Sequence, residues 1–272
     1  MIKKIVLFIV VTLVVFSLLS CGSEEKVLNM VVIPADDAVS TEERYQAFVD
    51  YIEAGIDMEV NLITVTDYAA VVEAMKYGHA DIARFGPLNY AQATYEADIE
   101  PLVVAIKQSS GAAFYKSLII SRPDLEDLNG ASFAYVDPGS GSGYGAPSVY
   151  IKDNNIELGQ IVFAGSHPAV IEAVKNGSVD AGAVADNRWY TALEEGAVTE
   201  DEVKVFATTD PIPNSPWAVQ ADMDPKLKDD LLAVFLSMPE DIVLSLGIQE
   251  TQFLEADDAD YDIMRKMLEV LD

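Results

Sequence analysis

Cysteine is all but missing from the chain. Cys21 stands alone, which excludes both a disulfide framework and a thiolate metal site. Histidine is nearly as scarce, since His79 and His167 leave little material for an imidazole zinc centre. Basic residues are few, 17 against 45 acidic ones, for a formal net charge of −28. A chain so acidic is a poor nucleic-acid binder, and most of its carboxylates read as a solvated surface. Catalytic patterns are lacking too. There is no Gly-x-Ser-x-Gly, no Ser–His–Asp order that stands out, no His-Glu-x-x-His and no acidic metal cluster. Asp257-Asp258-Ala259-Asp260 reads as a solvated helix start. No enzyme activity, metal or cofactor is therefore expected, and an anionic ligand would have to be held by local dipoles against an unfavourable overall field. Nothing repeats at a solenoid period, and no Pro-rich or charged linker divides the chain.

What is present begins at the N-terminus. Lys3-Lys4 precede an apolar run from Ile5 to Phe16, interrupted by Thr12, and then comes Leu18-Leu19-Ser20-Cys21-Gly22. A basic start, a short apolar core and a small-residue cleavage site make residues 1–20 a secretory signal, and the run is short for a membrane span. Leu-Leu-Ser-Cys-Gly resembles a bacterial lipobox, in which the cysteine is lipidated and becomes the first mature residue. The other reading is a plain signal followed by a free cysteine. On the lipobox reading, residues 21–26 are a tether. The protein is then exported and lipid-anchored at Cys21, on the periplasmic face or the outer surface of the cytoplasmic membrane.

The chain of 272 residues, 50% hydrophobic, is long enough for one large or two medium α/β domains. Strands are predicted at 27–34, 58–65, 81–85, 100–106, 115–121, 131–136, 160–164, 180–184, 202–206 and 217–220. Helices are predicted at 41–53, 67–77, 88–96, 147–152, 165–174, 186–193, 225–237, 242–246 and 261–271. This alternation argues an α/β fold with mostly parallel sheets. Composition changes near 115–122 and 207–217 suit a second domain inserted into the first.

One stretch organises the functional reading. Asp137-Pro138-Gly139-Ser140-Gly141-Ser142-Gly143-Tyr144-Gly145-Ala146-Pro147 follows a predicted strand and opens a predicted helix. Two hydroxyls, Ser140 and Ser142, and several amides share a small space there. Glycines let an anion reach the main chain, and the helix start adds partial positive charge. The stretch is neither a Walker A loop nor a dinucleotide fingerprint, and alone it is equally an ordinary connector. Gly165-Ser166-His167 lies between another strand and helix, where His167 either donates Nε2–H to an anion or serves as a packing residue. Asp186 is either a helix cap or an acceptor for a ligand O–H or N–H. Gly86-Pro87 ends a strand at the side where ligands of open α/β sheets gather. Arg84 or Arg188 could meet a ligand carboxylate, but neither sits in a loop that a ligand is expected to use, and His79 reads as structural or surface.

Together these residues resemble the solute-binding proteins of ABC importers for phosphonate, phosphite and related phosphate compounds. The likeness spans residues 28–250. It runs through Tyr77-Gly78-His79-Ala80-Asp81-Ile82-Ala83 with Gly86-Pro87 and Tyr90, Tyr115-Lys116-Ser117, and Asp127-Leu128-Asn129-Gly130. It continues through the 137–147 loop, Gly165-Ser166-His167, Val179-Asp180-Ala181-Gly182 and Pro211-Ile212-Pro213-Asn214. The resemblance implies a type II periplasmic-binding-protein fold. Two α/β lobes, 27–116 with 213–272 and 117–212, are joined by two hinge strands around a ligand cleft. It implies that Ser140, Ser142 and the backbone of Gly141 and Gly143 hold an oxyanion and that His167 contacts it. Tyr68 and Tyr115 then reach it from the other lobe or the hinge, and Asp186 takes a P–OH or amine. Gly141 stands where the family has Thr, and Ser215 where aminophosphonate binders carry an acid. Phosphite, methylphosphonate or phosphate is thus favoured over an ammonium-bearing ligand. The implied protein is a monomeric receptor that delivers this ligand to a membrane permease. The alternatives are a same-fold receptor for an amino acid or sulfonate, which would aim an Arg at its ligand, and a secreted phosphate-ester hydrolase.

Overall fold

The computed structural model describes residues 27–33, 38–108, 111–247 and 249–271. The signal segment, Cys21 and the tether lie outside these described residues.

Two mixed sheets form the framework. In the first, Val27–Val32 pairs in parallel with Glu59–Thr64 and Ile82–Arg84. Pro216–Gln220 lies antiparallel between Ile82–Arg84 and Ile99–Lys107, and Glu250–Glu255 pairs antiparallel with Ile99–Lys107 on its other side. In the second, Ser117–Ser121 runs antiparallel to both Lys204–Thr208 and Ala181–Ala185. Phe133–Tyr135 is parallel to Ala181–Ala185 and to Ile161–Phe163.

The sheets are therefore mixed, not mostly parallel. A helical crossover carries the chain back to the end where the previous strand began and makes parallel neighbours. Ser117–Ser121 and Pro216–Gln220 instead arrive from the other sheet, enter at the opposite end and run antiparallel. Glu250–Glu255 is a strand that the hydrophobic pattern did not predict. The strand expected over 115–121 is broken at Lys116 into Phe114–Tyr115 and Ser117–Ser121. The loop before Pro216 contains a short strand, Ile212–Pro213, that pairs antiparallel with Phe114–Tyr115. This ribbon is where the chain passes from the first sheet to the second and back.

Helix starts follow their capping residues. Asp67 Oδ1 accepts the Ala70 N–H at 2.9 Å ahead of Tyr68–Lys76, and Ser166 Oγ accepts the Ala169 N–H at 3.3 Å ahead of His167–Lys175. The helix Ala38–Ile56 lays Phe48 on Trp217 of the first sheet, with ring centroids 5.3 Å apart, and Phe235 and Phe253 close the same cluster. Burying each such ring stabilises the fold by roughly 1.5–3 kcal/mol. The result is a firm platform beneath the carboxyl ends of Ile82–Arg84 and Ile99–Lys107. Among the described residues no helix is long and apolar enough to cross a membrane.

Candidate functional site

Elements of both sheets converge on a cavity of about 120 Å³. Its most ordered wall is the glycine-rich stretch. Ser140 Oγ accepts the Gly143 N–H at 2.9 Å, and the Ser140 carbonyl accepts the Tyr144 and Gly145 N–H groups at 3.0 Å each. These bonds wind Gly141–Gly145 into a single wide π turn ahead of the helix Ala146–Asp153. A Cβ at Gly143 would stand 2.4 Å from Val136 Cβ, so glycine is needed there. The first amides of a helical turn find no acceptor within it. Here they belong to Gly141 and Ser142, and both residues line the cavity. Ser142 is fixed from behind, because its carbonyl accepts the Ser117 hydroxyl at 2.6 Å.

Burial raises the pKa of both Tyr68 and Tyr115. Both phenols therefore stay protonated at neutral pH and can donate. His167 opens its helix and accepts the Ala185 N–H on Nδ1 at 3.2 Å. A ring nitrogen that accepts carries no proton, so the neutral imidazole holds its N–H on Nε2. Burial, followed by the charges of Arg188 and Lys107, lowers the His167 pKa to about 3. At pH 7 it is a neutral donor.

Of the residues singled out in the sequence, Tyr68, Tyr115, Gly141, Ser142 and His167 line this one cavity. Ser140 and Gly143 lie beneath it, where the amide of Gly143 is already taken by Ser140 Oγ. Asp186 faces elsewhere. Its carboxylate accepts the Lys116 N–H at 3.0 Å and the Asn187 N–H at 2.7 Å, which clamps the helix Asp186–Glu194 to the chain at the crossing point. Its two successors, Asn187 and Arg188, line the cavity in its place.

The charges in the wall were not anticipated. Arg84, Lys107 and Arg188 all line it, and of these Arg84 and Arg188 were considered only for the alternative, carboxylate-binding reading. Arg84 Nη2 at 3.1 Å, Lys107 Nζ at 3.3 Å and Asn214 Nδ2 at 3.0 Å all donate to one oxygen, Oε1 of the fully buried Glu250. Burial works to raise the pKa of the Glu250 carboxyl, but Arg84, Lys107 and Asn214 hold it below the usual range. Burial lowers the pKa of Lys107. Its ammonium also sits 5.4 Å from the Tyr115 ring centroid. Arg84 Nε is buried with no partner. Among the described residues no carboxylate lines the cavity. Fixed charges, and not dipoles alone, therefore act on whatever enters. The signal was present in the sequence: Arg84 ends a strand just before Gly86-Pro87, and Lys107 follows the apolar run Leu102 to Ile106. A cation is costly in such places unless it is paired.

The family model for the periplasmic phosphonate substrate-binding protein of ABC transporters matches residues 30–261. A curated relative, the phosphate-import protein PhnD of Mycolicibacterium smegmatis, is 28% identical over 277 residues, covering 89% of this chain and 85% of its own. Among solved structures, PhnD1 from Prochlorococcus marinus in complex with methylphosphonate aligns with a TM-score of 0.81 at 22% identity, covering 91% of this chain and 99% of that one. A binding protein component of an ABC phosphonate transporter from Pseudomonas aeruginosa aligns at 0.80 with 21% identity, covering 90% and 86%. The architecture is the type II periplasmic-binding-protein fold.

Proposed function

The chain belongs to the periplasmic phosphonate substrate-binding proteins of ABC transporters, and from that premise we propose that it captures a small phosphorus oxyanion and delivers it to a membrane permease. It is a binding protein, not an enzyme. One observation carries the choice of ligand charge. In a chain of net charge −28, the cavity is lined by Arg84, Lys107 and Arg188 and, among the described residues, by no carboxylate. Ser142, the amides of Gly141 and Ser142, His167 Nε2–H and the phenols of Tyr68 and Tyr115 supply the neutral donors. Charge-assisted hydrogen bonds from such a set are the strong kind. Residues 27–116 with 213–272 form one lobe and 117–212 the other, and the Phe114–Tyr115 and Ile212–Pro213 ribbon is the hinge about which they close. Cys21 carries the lipid that holds the monomeric receptor beside its permease.

Thermal unfolding with phosphite, methylphosphonate and phosphate tests the reading, with ethanesulfonate and glutamate as controls. A ligand at a hundred times its Kd adds about 2.7 kcal/mol by mass action, so at least one phosphorus compound raises Tm by several degrees. A response confined to the sulfonate or the amino acid, or to no compound, overturns it.

A further inference from the structure

We infer that the preferred ligand bears a second anionic group besides its tetrahedral head, and that Arg84 and Lys107 receive it. This rests on the phosphorus-oxyanion reading above and narrows it to phosphonates whose substituent is itself negatively charged, such as a phosphonocarboxylate.

The donors differ in balance from sheet to sheet: the second supplies the amides, the Ser142 hydroxyl, His167 and one cation, Arg188, and the first supplies Tyr68 and two cations. The π turn at Gly141–Gly145 follows Phe133–Tyr135, and His167 follows Ile161–Phe163, so both are carried by the second sheet. These neutral groups are suited to the oxygens of a tetrahedral head. Arg84 and Lys107 close two strands of the first sheet, Ile82–Arg84 and Ile99–Lys107, with Pro216–Gln220 between them. They share a single carboxylate, Glu250, so with both protonated the pair keeps an excess positive charge beside the cavity. A buried charge left uncompensated is expensive, and an anion in the cavity would relieve it.

The donors left over agree with the charge. Arg84 Nε is buried with no acceptor. The ammonium of Lys107 has three N–H donors, and one of them meets Glu250. A guanidinium edge matches a carboxylate in shape as well as charge. An ammonium-bearing substituent would meet these same cations and be repelled.

The test compares ligands of similar size and opposite charge by isothermal titration of the wild-type protein: phosphonoacetate, methylphosphonate, phosphite and 2-aminoethylphosphonate. Phosphonoacetate is expected to bind at least about tenfold more tightly than methylphosphonate, as one added charge-assisted contact implies, and 2-aminoethylphosphonate most weakly of the four. Arg84→Gln and, separately, Lys107→Met should bring the phosphonoacetate-to-methylphosphonate ratio towards one. The wild-type ranking stands even if a variant fails to fold. If methylphosphonate, phosphite or 2-aminoethylphosphonate binds as tightly as phosphonoacetate, the inference fails and the phosphorus-oxyanion reading survives. If a folded variant weakens both ligands equally and leaves the ratio unchanged, the cations serve the head and the inference fails. If none of the four binds, the inference fails, and if phosphate added as a fifth ligand does not bind either, the phosphorus-oxyanion reading falls with it.

Discussion

Replacing Glu250 by Gln probes the cationic wall most directly. The substitution keeps the shape and leaves an amide oxygen for Asn214, but it removes the one negative charge shared by Arg84 and Lys107. Glu250 is fully buried and Lys107 nearly so, so water can compensate only from the cavity side. Removing one partner of a buried ion pair costs about 3–5 kcal/mol. For a protein of this size each kcal/mol moves Tm by about 2–4 °C, so the variant should melt about 6–20 °C below wild type at pH 7. Lys107 offers a way out, because burial already favours its neutral form. The defect should therefore shrink as pH rises and the ammonium loses its proton. Phosphite should also stabilise Glu250→Gln more than it stabilises wild type, because the added anion compensates the two cations. Differential scanning calorimetry from pH 6 to pH 10, with and without phosphite, measures all three effects. A variant that melts within about 2 °C of wild type at pH 7 would mean that the pair needs no counter-charge, and the electrostatic account of the cavity would be refuted.

Two further perturbations address other parts of the wall. The unfolded chain takes a proton at His167 near pH 6.5, while the folded ring refuses it until about pH 3, so this residue costs the native state stability as pH falls through that window. His167→Gln should lose about 2 kcal/mol less than wild type between pH 7 and pH 5 in urea unfolding, and parallel curves would show that the ring is not buried neutral. Gly143→Ala forces a methyl against Val136 and Ser140 Oγ. It should destabilise by about 1–3 kcal/mol and abolish oxyanion binding, and normal affinity in calorimetry would show that the π turn does not set the amides.

The expected elements matched best where the chain advertises its junctions. Asp67 and Ser166 cap the helices they were expected to open. Glu250–Glu255 escaped notice because Glu-Thr-Gln-Phe-Leu-Glu buries Glu250 and Phe253 and leaves most of its other side chains at least partly accessible, so it shows neither an apolar run nor clean alternation. At the site, the hydroxyl and amide donors were legible because glycine, serine and histidine between a strand and a helix have few other uses. The cations were not. A cation closing a buried strand was the only sign of them, and the acid that tolerates both, Glu250, lies far along the chain, so the pairing could not be read locally. Asp186 shows the opposite error. An acid beside the cavity invited a ligand role, but successive residues of a helix point in different directions, and the wall passes to Asn187 and Arg188.

The pairing of Lys107 with Glu250 also bears on biosynthesis. All five strands of the second sheet lie between residues 117 and 208, and it can assemble as soon as that span has been made. The first sheet cannot, because Pro216–Gln220 and Glu250–Glu255 are among the last parts to appear. A nascent chain that stops short of residue 250 already holds both cations and lacks their carboxylate. Completion of the cavity therefore waits until nearly the whole chain is available to fold, and a chain cut just before that residue would leave both cations without their carboxylate.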